Sequence, residues 1–138
     1  MAISPNSTRL AATWHRDHGE PEGRLYEFKV WDTASGKELF TIPGNGAAAF
    51  DGAAFSPDNR HVASAARIVG GTGEVKIWDT ATHEELLALK DPTYPIDNAA
   101  FSPDGRRLLG VLSSFLKPSG MVHIWDATPL QESVKGGP

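Results

Sequence analysis

The sequence contains no cysteine among its 138 residues, which excludes disulfide bonds, thiolate nucleophiles and cysteine-ligated metals. It also lacks any run of about 20 apolar residues, the length that a transmembrane helix requires. The formal net charge of −4 argues against nucleic acid or an anionic membrane as a partner. The first ten residues, MAISPNSTRL, have neither the basic nor the apolar region of a signal peptide. Together these absences predict a cytoplasmic protein.

Catalytic patterns are also missing. No segment shows helical periodicity over a useful length, and GGTG at 70–73 is not followed by a helix whose N-terminus could hold a phosphate. No grouping of serine, histidine and aspartate can be defended as a hydrolase triad. We therefore expect a protein that is not an enzyme and that uses no cofactor.

A repeated unit is the most informative feature that is present. A Trp-Asp pair occurs at three places, separated by 47 residues each time. Each pair is preceded by a Ser-Pro-Asp or Ser-Pro-Asn segment, in which proline and the acidic or amide residue favour a tight turn. The signature residues of the repeat are Trp31, Asp32, Trp78, Asp79, Trp125, Asp126, Pro57 and Pro103.

Each unit is predicted to form four short strands. The third strand is EFKVWD at 27–32, EVKIWD at 74–79 and MVHIWD at 121–126. Side chains alternate between the two faces of a strand, so Phe28 and Val30 lie on one face and Trp31 on the other. Both faces carry apolar groups, as expected for a sheet packed between two other sheets.

AFSPDGRRL at 100–108 and KIWDTATHEEL at 76–86 resemble the WD-repeat family of β-propellers. The resemblance implies an all-β fold of four-stranded antiparallel blades. It implies a single three-blade segment over 1–138, with blades at about 1–43, 50–90 and 96–135. It also implies a scaffold that interacts with other proteins.

The sequence departs from the family in one respect. Family blades often carry a Gly-His pair whose histidine joins an aspartate, a serine or threonine and the tryptophan in a buried network. No such histidine occurs at 43–46 or 90–95. Thr13 and Ser64 are the candidates for the hydroxyl partner of tryptophan, and the third unit offers none.

Three blades are too few for a closed ring, because propellers have roughly four to eight. We expect the chain to bind copies of itself, and we favour a nine-bladed trimer slightly over a six-bladed dimer. The chain begins inside a strand, so the alternative is a purely structural ring-forming fragment, engineered or excised from a longer propeller.

One face of the predicted ring is a candidate binding face for other proteins. It combines the loops between the second and third strands with those that join successive blades. Aromatic side chains beside basic ones are typical of such surfaces, although these aromatics could equally pack on neighbouring blades. The residues of this candidate binding face are Arg16, Arg67, Tyr94, Phe115 and Lys117.

The long loop of the first unit is the only candidate for metal chemistry. His15, Asp17 and His18 are of types that bind metals, but their spacing matches no defined site. We expect a solvated hairpin and no metal. A metal-binding or enzymatic propeller that uses the 15–22 loop is kept as an alternative.

Overall fold

The computed structural model describes residues 1–16, 25–44, 48–112 and 120–126. Within these ranges eleven strands form three antiparallel sheets. The described residues contain no helix that is long and apolar enough to cross a membrane. The prediction of an all-β fold is confirmed, and the three sheets formed by the described residues are consistent with propeller blades.

The first two blades are four-stranded sheets whose strands follow one another in chain order. The first blade consists of β1 (Ala2–Ile3), β2 (Arg9–Arg16), β3 (Leu25–Asp32) and β4 (Glu38–Pro43). The second consists of β5 (Ala48–Phe55), β6 (His61–Ile68), β7 (Thr72–Asp79) and β8 (Glu85–Asp91). Each strand pairs only with its neighbours in sequence, so the blade is a simple meander of hairpins.

The third blade shows three strands within the described part of the chain. They are β9 (Ile96–Phe101), β10 (Arg107–Leu112) and β11 (Met121–Asp126). A fourth strand at 131–135, to which the sequence gives weak support, lies outside the described residues.

The cross-strand register fixes which side chains share a face. Trp31 pairs with Leu10, Trp78 with Val62, and Trp125 with Leu108. Directly paired residues of antiparallel strands point to the same side of the sheet. Each tryptophan therefore lies on a face with an aliphatic residue of the second strand, whereas the valine or isoleucine that precedes it points to the opposite face.

Two apolar clusters lie between the blades and hold them together. The first joins Phe28 and Val30 of the first blade to Val62 and Trp78 of the second. The second joins Val75 and Ile77 of the second blade to Leu108, Trp125 and Ile96 of the third. In both joints the tryptophan face of one blade meets the valine or isoleucine face of the blade before it. Burial of apolar surface here is the main source of stability.

The Ser-Pro turn has the same construction in all three blades. Its serine hydroxyl donates to the side-chain oxygen of the residue two positions later, and the same hydroxyl oxygen accepts the backbone N–H at the start of the next strand. The residue after the acidic or amide position has positive φ in each copy: Ser7 at 60°, Asn59 at 63° and Gly105 at 72°. These side-chain hydrogen bonds explain why the turn keeps serine and an acidic or amide residue.

Candidate interaction surfaces

The aspartates of the Trp-Asp pairs lie at one end of the blades, and those of the first two pairs organise turns there. Asp32 accepts hydrogen bonds from the N–H and hydroxyl of Ser35, both at 2.8 Å. Asp79 accepts the N–H groups of Ala81 and Thr82, also at 2.8 Å. Hydrogen bonds from these turn residues hold the pKa of both aspartates below the ordinary value. The ionised carboxylates thus fix the turn that leads into the fourth strand.

A basic residue faces each of these aspartates across the sheet, a feature that we did not predict. Arg9 pairs with Asp32 and His61 with Asp79 in the strand register. In the third blade the Arg107 Nε lies 3.0 Å from Asp126 Oδ2. The basic residue is always the fourth after the turn proline, so aligning the copies on that proline could have revealed it.

The indole of Trp78 has a hydrogen-bond acceptor inside the first joint. Its Nε1 donates to Ser64 Oγ over 3.1 Å, and Trp78 and Ser64 are 9% and 1% exposed. Because a buried N–H without an acceptor is costly, this bond makes Ser64 part of the packing of Trp78. Ser64 is therefore confirmed as the hydroxyl partner.

Thr13 is wrong as the equivalent partner of Trp31. Thr13 pairs with Phe28, on the face opposite to Trp31. The position that corresponds to Ser64 is Ala12, which has no hydroxyl. In the third blade the same position is Gly110, which also has no side-chain hydroxyl.

Trp125 packs through close contact instead of through a hydroxyl. A Cβ on Gly110 would lie only 2.8 and 2.9 Å from two atoms of the Trp125 ring, closer than two carbon atoms approach. His123 lies two residues before Trp125 on the same strand, and its ring stacks on the indole at 4.3 Å between centroids with an interplanar angle of 11°. Glycine is therefore required where the tryptophan lies directly on the second strand.

A buried aspartate links the second and third blades at their other end. Asp91 Oδ1 accepts the N–H groups of Thr93 and Tyr94 at 2.8 and 2.9 Å. Its Oδ2 lies 3.0 Å from His123 Nδ1, and that nitrogen carries the hydrogen because a carboxylate only accepts. Burial raises the pKa of Asp91, but these hydrogen bonds outweigh it, and the pKa lies below the ordinary value.

Two residues of the candidate binding face can be placed, and both are held by the blades. Arg67 Nη2 lies 3.1 Å from Asp51 Oδ1, and its Nε lies 4.0 Å from Asp97 Oδ1 on the third blade. Tyr94 packs partly buried against the second apolar cluster. The side chains of Arg16, Phe115 and Lys117 lie outside the described residues. The assignment of this face to partner binding stays a prediction.

The metal candidates are described only in part. His15 is exposed at the end of β2, and its ring lies 6.2 Å from that of Tyr26. Asp17 and His18 lie outside the described residues. Among the residues that the structure describes, no group of three histidine or carboxylate side chains could hold a metal ion.

Comparisons with known proteins agree with this architecture. Among solved structures, an acylaminoacyl peptidase from Pyrococcus horikoshii is similar, with a TM-score of 0.61 and 19% identity over 76% of this chain. The chain spans only 16% of the length of that protein. At this identity the likeness concerns the fold alone. No curated protein sequence matches the chain.

A family model described as "WD domain, G-beta repeat" matches residues 36–79. The matched segment contains β4 of the first blade and β5, β6 and β7 of the second, and it ends on Trp78-Asp79. The sequence repeat is thus offset from the blade by one strand. This match assigns residues 36–79 to the WD-repeat family, as the Ser-Pro turns and Trp-Asp pairs predicted.

Proposed function

We propose that the chain is a non-catalytic interaction module that assembles with copies of itself into a closed propeller ring. WD repeats, the family whose model matches residues 36–79, generally mediate contacts between proteins. In this proposal the ring is the working form, and its loop end, which carries Arg67 and Tyr94, is offered to other proteins in the cytoplasm.

The observation that carries the proposal is the uncovered apolar face on each outer blade. Ile3 and Trp14 of the first blade are 60% and 55% exposed, and Val122 and Ile124 of the third are both 55% exposed. Contiguous apolar surface of this kind marks an interface. Repeat arrays normally cover such ends with polar capping segments, and here the outer faces have the apolar composition of the internal ones.

The non-catalytic part of the proposal is supported by aspartates that are ionised and hydrogen-bonded within turns. Hydrogen bonds from turn residues hold the pKa values of several aspartates low, which keeps them ionised and engaged. The aspartates in question are Asp32, Asp58, Asp79 and Asp104. An efficient general acid or base has a pKa near the working pH, which for a carboxyl group is the opposite shift.

The mass of the particle in solution tests the proposal. We expect sedimentation velocity and native mass spectrometry to give two or three times the chain mass of 14.8 kDa at micromolar concentration. Twice this mass corresponds to six blades and three times to nine. A stable monomer at that concentration would contradict assembly and would leave the outer faces to further blades of a longer protein.

A further inference from the structure

The two internal joints follow one rule of pairing. In the first, Phe28 and Val30 of one blade meet Trp78 of the next. In the second, Val75 and Ile77 meet Trp125. A valine or isoleucine face therefore always receives the tryptophan face of the following blade, and in neither joint do two tryptophan faces meet.

The outer faces of the first and third blades correspond to the two halves of the same joint. The first blade presents the Trp31 flank, defined by Ile3, Leu10, Trp14 and Trp31, which share one face through the strand register. The third blade presents the Ile124 flank, defined by Leu109, Val111, Val122 and Ile124. Val111 is 44% exposed, and Val122 and Ile124 are both 55% exposed.

The polar groups around the Trp31 flank repeat those of a flank that is already covered. Lys29 lies 3.3 Å from a carboxylate oxygen of Glu27 and 3.0 Å from one of Glu38. In the second blade Lys76 lies 3.6 and 3.4 Å from Glu74 and Glu85. Lys76 lies on the Trp78 face, with its Nζ 5.9 Å from the centre of that ring. The Trp31 flank thus matches, in apolar and ionic groups, a surface that receives a blade.

We infer that a second copy of this chain covers the Trp31 flank with its Ile124 flank, in a head-to-tail joint. This inference rests on the assembly proposed above and names the two surfaces that meet. Contact between unlike surfaces is the symmetry type that closes a ring. It reproduces between chains the pairing that the chain uses twice within itself.

Several side chains on the two outer flanks are larger than their counterparts in the internal joints, which favours contact between separate chains. Trp14 takes the place that Ala66 has in the second blade, since both face the equivalent glutamates Glu27 and Glu74. On the Ile124 flank, Leu109 and Val111 take the places of two alanines, Ala63 and Ala65. The joint between copies thus has larger apolar side chains at these positions than the internal joints that contain Ala66, Ala63 and Ala65, which favours association of separate molecules.

Complementation between flank variants tests the joint. Trp14→Lys places a charge on the Trp31 flank, and Ile124→Lys places one on the Ile124 flank. Both positions are more than half exposed in the single chain, so the blades should still fold. We expect each variant alone to run at the chain mass. Their equimolar mixture should form a dimer with one intact joint, and it cannot form a ring.

Controls separate the joint from folding and from general charge effects. Val69→Lys, at a hairpin tip that is 76% exposed and belongs to neither flank, should keep the mass of the parent protein. Ile3→Lys and Val122→Lys repeat the test at second positions, and circular dichroism confirms that each variant retains its sheets. If the parent is a dimer with two joints, the mixed dimer should dissociate at a concentration on the order of 100-fold higher.

Three results would overturn the head-to-tail joint although the parent protein assembles. They are assembly of either variant alone at the parent mass, failure of the mixture to exceed the chain mass, and dimers of Ile124→Lys alone, which would indicate two Trp31 flanks back to back. A monomeric parent protein is a different result, because it would remove the proposed assembly itself.

Discussion

Trp78 and Trp31 occupy the same position of the repeat in neighbouring blades, yet their surroundings differ. Trp78 is 9% exposed, lies between two sheets and donates to Ser64. Trp31 lies on an outer face with Ala12 at the serine position, and no further blade of the described chain covers it. The repeat therefore determines where the side chain points, whereas the neighbouring blade supplies the burial that makes it stabilising.

The largest expected effect comes from removing the covered tryptophan. Trp78→Ala should lower the free energy of unfolding by about 3–5 kcal/mol, because it leaves a cavity between two sheets. The matched Trp31→Ala variant should cost only about 1–2 kcal/mol in single chains, where the outer face is open. Urea denaturation at low protein concentration measures both.

The concentration dependence of this pair sharpens the comparison. If copies of the chain cover the Trp31 flank, the destabilisation by Trp31→Ala should grow with protein concentration, and that by Trp78→Ala should not. Unchanged stability of Trp78→Ala would show that the tryptophan face has been placed wrongly.

The second joint should respond to a single added methyl group. Gly110→Ala places a Cβ at 2.8 Å from the Trp125 ring, and displacement of the ring should cost about 1–3 kcal/mol. Gly120→Ala is the matched control, since a Cβ there meets nothing within 4 Å. Thermal unfolding of both variants measures the difference. Equal melting temperatures would mean that Trp125 does not lie on Gly110, and that the second joint is as loosely packed as an open flank.

The strands and their faces could be predicted because they depend on local periodicity. The alternation of EFKVWD at 27–32 predicts a strand, and β3 runs over Leu25–Asp32. The hydroxyl partners of the tryptophans are harder to predict. The sequence offers Thr13 as a candidate, but Ala12 occupies the position that corresponds to Ser64. Counting seven residues from the turn proline finds Ala12, Ser64 and Gly110, so the repeat itself contained the correct register.

The contacts that cross from one blade to the next could not be predicted in this way. Asp91 and His123 are 32 residues apart, and no spacing rule connects the end of one blade with the third strand of another. Arg67 pairs with Asp51 of its own blade and also reaches Asp97 of the third blade. These pairs depend on how the sheets pack, which hydrophobic patterning specifies only in outline.

The smallest expected effects come from the hydroxyl group that accepts a hydrogen bond from the tryptophan N–H. In the described part of the chain, only the covered tryptophan of the compared pair, Trp78, has this partner, which is Ser64. Ser64→Ala removes the acceptor of the Trp78 N–H, and a buried donor without a partner costs about 1–3 kcal/mol. Ser64 also lines a cavity of about 490 Å³ between the first two blades, where water can replace part of the lost bond. We therefore expect the lower end of that range, about 1 kcal/mol.

The reciprocal change, Ala12→Ser, offers the same hydroxyl to Trp31. No further blade of the described chain lies over Trp31, so water can reach its indole N–H, and the added bond should change the free energy of unfolding by less than about 0.5 kcal/mol. Urea denaturation of single chains compares the two variants. If Ala12→Ser raised the free energy of unfolding by as much as Ser64→Ala lowers it, the Trp31 indole would be shielded from water as completely as that of Trp78. Because no further blade of the described chain lies over Trp31, that shielding would have to come from a second copy or from a further blade.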